Sequence, residues 1–196
     1  MKIRNNLFLI LFHSKEEDRW ESWKRFAEKN NYTYSLLSDP VIRPILRGTL
    51  YDKPICIEAA YTNILETDLS IRIQSPIHNP QELYFLVEDK KAYKSKKGIF
   101  DKTISGFCKN RELEEKFFIK SNSETFPIKM LNRNNLTNDL MGQDNFAIEV
   151  ANYELTLTTY NILSIDKEFI GFLKLFYSFL SAFEETTIES FLYRKQ

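Results

Sequence analysis

The chain has 196 residues, enough for one domain or two small ones, with a core that holds without disulfides or metal. Lys+Arg and Asp+Glu balance at 27 each, which excludes a global field drawing the protein to nucleic acid or an anionic membrane. Five Gly and six Pro beside 16 Phe and 10 Tyr exclude a collagen-like or linker-dominated chain and favour long regular elements.

At the N-terminus, Lys2 and Arg4 precede the apolar run Leu7 to Phe12, in the manner of a secretory signal. The run is shorter than the usual ~7–15 residues and the charged HSKEEDR follows without a small-residue cleavage site. A mature strand or helix start is therefore expected. Ser14 to Glu17 is a capping-box pattern, and Trp20, Trp23, Phe26 and Ala27 then recur at helical spacing. This predicts a helix from about Lys15 to Lys29, ended by Asn30-Asn31. A strand over Tyr32 to Leu37 is broken by Asp39-Pro40. Leu46 to Leu50 and Ile55 to Thr62 form a hairpin around Tyr51-Asp52-Lys53-Pro54. Leu69, Ile71 and Ile73 alternate with polar residues, the pattern of a half-buried strand.

Ser75 to Pro80 reads as a loop, Leu83 to Glu88 as a strand, Lys90 to Gly98 as a polar, Lys-heavy loop, and Phe117 to Lys120 as a short strand. A helix is expected from about Glu124 to Met141, with Pro127 in its first turn and Gly142 just past its end. Phe146, Ile148, Val150, Leu155 and Leu157 predict a second hairpin, closed by Ala151 to Glu154. Asp166 caps a last helix from Lys167, with a stripe of Phe169, Leu173, Phe176, Leu180 and Phe183, widened by Phe172, Tyr177 and Phe179. That helix is expected to end near Phe183 and to resume through Ile188 to Tyr193. The fold class is thus α+β, with an antiparallel sheet covered on one face by helices and a long aromatic-rich C-terminal helix. One domain over residues 1–196 is expected, since only the Lys segment offers an internal boundary. No window reaches the ~18 apolar residues of a spanning helix.

The chemistry-bearing residues are sparse. His13 and His78 are the only histidines, and no metal-ligand spacing exists, so no metal or cofactor is expected. Cys56, in Ile55-Cys56-Ile57, reads as a small buried hydrophobe, and Cys108 has no pairing pattern. Two free thiols fit a reducing, cytoplasmic setting. No nucleophile elbow or phosphate loop is present, so no catalytic residue is assigned and a non-enzymatic role is favoured. The binding candidates are Lys90, Lys91, Lys94, Lys96 and Lys97 with Tyr93 among them, because lysines meet phosphates and an aromatic can stack a base. Arg43 and Arg47, bracketing Pro44, could hold an anion. Against nucleic acid, Glu88-Asp89 directly precedes the lysines, and lysines also decorate loops. Three roles follow. A protein-interaction or self-association module is favoured, with an unknown protein or the chain itself as partner. A nucleic-acid accessory factor uses the Lys segment. A small-molecule or lipid carrier holds an apolar cavity under the last helix.

Three stretches carry a resemblance: Trp23-Lys24-Arg25-Phe26-Ala27, Arg47-Gly48-Thr49-Leu50-Tyr51-Asp52-Lys53-Pro54, and Gly106 through Phe117-Phe118-Ile119. Over about residues 15–185 the layout resembles a loosely defined group of uncharacterised bacterial α+β proteins. The resemblance implies the fold and brings no catalytic residues with it.

Overall fold

The computed structural model describes residues 20–38, 43–61, 69–93, 111–133, 136–160, 165 and 167–192. The expectations for Leu7 to Phe12, His13, the Ser14 to Glu17 capping box, Asp39-Pro40, Lys94, Lys96, Lys97, Cys108 and Asp166 lie outside these residues. The strands are β1 (Thr33–Leu37), β2 (Arg43–Leu50), β3 (Lys53–Tyr61), β4 (Leu69–Pro76), β5 (Phe85–Asp89), β6 (Phe117–Ser121), β7 (Phe146–Ala151) and β8 (Glu154–Thr159). The helices are α1 (residues 20–30), α2 (Lys90–Tyr93), α3 (Arg111–Lys116), α4 (Thr125–Leu131), α5 (Leu136–Met141) and α6 (Lys167–Leu192).

All eight strands join one antiparallel sheet in the order β1-β2-β3-β4-β8-β7-β5-β6. Two adjacent rows across it show why the fold is α+β. One row runs Tyr34, Leu46, Ile57, Ile73, Leu157, Ile148, Val87 and Ile119, and every member from Leu46 onward is buried. The next runs Thr33, Arg47, Cys56, Gln74, Thr156, Glu149, Leu86 and Lys120. Successive strand residues point to opposite faces, so the apolar row faces the helices and the polar row faces away.

Helix α1 lays Trp20, Trp23 and Ala27 on the core, with the two indoles edge to face at 6.0 Å. It ends as its Asn pair predicts. Asn31 takes φ 58°, and the Tyr32 N–H donates to Ala27 O at 2.9 Å, the Schellman closure. Helix α6 buries Phe169, Phe172, Phe176, Phe179 and Phe183 completely. Its rings meet Phe26 of α1, Phe146 of β7, Phe85 of β5 and Phe126 of α4 at centroid distances of 5.4–6.1 Å. Full burial of one such side chain is worth roughly 1.5–3 kcal/mol, so this helix is a main source of stability.

Four expectations are corrected. The helix expected over Glu124 to Met141 is two, α4 and α5. Asn132 closes the first by donating its N–H to Ile128 O at 3.2 Å. The expected interruption of the last helix near Phe183 is absent, and α6 continues for 26 residues. Thr186 and Thr187 are buried there and donate their hydroxyls to Ala182 O and Phe183 O one turn back. Cys56 is half-buried on the polar face, not a core residue, because strand alternation sends Ile55 and Ile57 inward and the thiol outward. The first hairpin turns on Tyr51-Asp52 alone, both at positive φ, and Lys53-Pro54 belongs to β3.

Candidate protein-interaction surface

On the polar face, side chains of neighbouring strands pair across the sheet. Arg72 donates to Glu58 at 3.1 Å, and Gln74 donates to Glu154 at 2.9 Å. Toward β5 two tyrosines associate with two carboxylates. The Tyr160 hydroxyl donates to Glu88 Oε1 at 3.2 Å, and the charge of Glu149 acts on Tyr84. Burial, then the charge of Glu149, pushes the Tyr84 hydroxyl up to about 12. Burial, then Glu88, raises Tyr160 as well. Cys56 is raised by burial and by Glu58, with Arg47 opposing. Each shift moves its group further from neutral pH, so all three hold their protons there.

The binding candidates fall in two places. Arg43 and Arg47 share the polar face of β2. Arg43 is half-buried and donates Nη1 to Ala59 O at 3.3 Å, and Arg47 is exposed. Lys90, Lys91 and Tyr93 lie in α2, a helical turn where a loop was expected. The Lys90 ammonium donates to Glu114 O and sits 5.3 Å from the Phe118 ring centroid. Lys91 faces Asp144 at 3.9 Å. Five strand steps separate β2 from β5, about 24 Å, so the arginines and lysines do not form one cluster. The position of Lys90 is structural, since its charge is already shared with a helix carbonyl and a ring.

Under α6, the rings of Phe85, Phe126 and Phe146 pack against the helix's Phe179, Phe183 and Phe172. A groove of about 270 Å³ lies elsewhere, between α6 and the α4–α5 connection, lined by Arg133, Leu136, Tyr177, Ser178, Ser181, Ala182 and Glu185. Several of its polar groups are engaged. Arg133 bonds Thr186, Glu185 and Glu189, and Ser178 donates to Asp139 at 2.6 Å.

The margins of the sheet differ in chemistry. On one side β6 carries Lys120, and lysine is the usual guard of a strand edge. On the other side β1, Thr33-Tyr34-Ser35-Leu36-Leu37, has no charged residue, no Pro and no Gly, and Leu36 is 50% exposed. Among the described residues β1 pairs with β2 alone. Sequence reasoning located this strand but not its position in the sheet. The one signal available was its five uncharged residues in a chain otherwise rich in charge.

Compared with models of protein families, with curated proteins and with solved structures, the chain matches none.

Proposed function

We propose that this chain is a non-catalytic protein-interaction or self-association module, which engages a partner protein or a second copy of itself through the β1 margin of its sheet. One observation carries the reading: among the described residues β1 is an uncharged strand paired on one side, while the opposite margin is lysine-guarded. A strand edge offers a row of N–H and C=O groups to an incoming strand, and neighbouring side chains give it selectivity.

The test is affinity capture from the native cell with the full chain and with a Leu36→Lys variant, read by quantitative mass spectrometry. Proteins retained by the wild type and lost with Leu36→Lys support the reading, as does recovery of an untagged second copy that the variant loses. Identical captured sets for both forms count against it. A salt-sensitive mobility shift with nucleic acid, abolished by neutralising Lys91, Lys94, Lys96 and Lys97, would put the accessory-factor role in its place.

A further inference from the structure

We infer that the occupant of the β1 margin is β1 of a second copy, paired antiparallel about a two-fold axis at Ser35. This rests on the interaction-module reading and names its partner. A two-fold interface uses the same patch on both subunits, so it requires a patch complementary to itself. Strand β1 meets that requirement. With Ser35 opposite its own copy, Tyr34 lies opposite Leu36 of the second copy on the helix-side face, and the reverse pair forms by symmetry. Aromatic–aliphatic cross-strand pairs of this kind are favourable. They would cover Leu36, a large apolar side chain otherwise 50% exposed. On the polar face, Thr33 meets Leu37 of the second copy.

Electrostatics permits the pairing. The chain has formal net charge zero at pH 7, so two copies carry no net repulsion. The nearest like charges in the row are Arg43, opposite Leu37, and Arg47 of the second copy, opposite its Thr33. They stand three strand spacings apart, about 14 Å, beyond the ~8 Å screening length at physiological ionic strength. The margin formed by β6 lacks the uncharged pattern, since it carries Lys120. An interface of five residues a side belongs to the small, reversible class, so exchange between monomer and dimer is expected.

The experiment is analytical ultracentrifugation of the full chain over a range of concentrations, with Leu36→Lys beside the wild type. Leu36 is exposed enough for the lysine to leave folding intact, which circular dichroism checks. The wild type should pass reversibly from 23.3 kDa to twice that mass, and Leu36→Lys should stay monomeric. Independently, Ser35→Cys should oxidise to a dimer linked through position 35 in both copies, because antiparallel neighbours lie about 4.5–5.5 Å apart, within disulfide reach. A wild type that remains monomeric at several hundred micromolar, with no disulfide formed by Ser35→Cys, overturns self-pairing and leaves the interaction reading to the capture experiment. A dimer that Leu36→Lys leaves intact, with no disulfide formed by Ser35→Cys, overturns the β1 placement.

Discussion

The buried carboxylate of Asp89 accepts the backbone N–H of Asn145 at 2.7 Å, joining the end of β5 to the start of β7. Its other oxygen accepts the Lys91 N–H at 2.8 Å and so begins α2. Asn145 holds φ 56° and its carbonyl accepts the Tyr160 N–H at 2.7 Å, so one side chain anchors the corner where β5, β7 and the end of β8 meet. Replacing Asp89 with Ala strands two N–H groups, each costing about 1–3 kcal/mol. Asp89→Ala should therefore destabilise the fold by roughly 2–6 kcal/mol in a urea titration. A change below about 0.5 kcal/mol, the size of a neutral surface substitution, would show that water replaces the carboxylate without loss.

Gly48 gives the Tyr32 ring its place. A Cβ on Gly48 would lie 2.2 Å from Tyr32 Cδ1. That ring cannot easily retreat, because it stacks on Phe26 at 5.7 Å, and Phe26 in turn meets Phe169 edge-on at 5.6 Å. Gly48→Ala should cost about 1–3 kcal/mol, as overpacking does. Its effect should shrink in a Tyr32→Ala background, and a double-mutant cycle measures the difference. Strict additivity of the two substitutions would mean that they do not touch.

Phe176 sits mid-way along the α6 stripe and is fully buried. Phe176→Ala should leave a cavity and cost about 3–5 kcal/mol, a large share of the ~5–15 kcal/mol typical of a domain. Chemical denaturation measures it. An unmoved midpoint with weakened association would instead make this helix the docking face.

The tyrosines give the fold an alkaline limit. A hydroxyl whose folded pKa lies above the ordinary value of about 10 holds its proton more tightly folded than unfolded. The stability that Tyr84 contributes is therefore complete below about pH 10, and it is lost as pH rises through about 12. Tyr160, also raised, acts in the same direction. Difference absorbance between the wild type and Tyr84→Phe should show a phenolate forming near pH 12. Glu149→Gln should move that step down, because Glu149 contributes to the shift. A Tyr84 step at about pH 10 in the native protein, the ordinary phenol value, would remove this coupling.

Much of the architecture was legible because periodicity follows burial. Alternation in Leu69 to Ile73 and Phe146 to Val150 marked strands, and the spacing from Phe169 to Phe183 marked the core face of α6. The misread parts share a cause, which is that polarity was judged without partners. Glu184 to Thr187 read as an interruption, yet Glu184 meets Lys53 at 2.8 Å and the two threonines bond back to their own helix. Cys56 read as core because its neighbours are apolar, although strand geometry turns it the other way. Strand order was not legible, since pairing β4 with β8 joins residues about 80 positions apart. The candidate surface inherits that limit. Thr33 to Leu37 looks like any short strand until the sheet, among the described residues, leaves it at a margin.

Hydrogen exchange at β1 tests the interaction account most directly. The amides of Thr33 to Leu37 should exchange markedly more slowly when the protein is concentrated from low micromolar to several hundred micromolar. Those of Phe117 to Ser121, on the lysine-guarded margin, should not change. Leu36→Lys should abolish the concentration effect. Rapid, concentration-independent exchange at β1, unaltered by any captured partner, would contradict the assignment of this edge as the surface through which the protein acts.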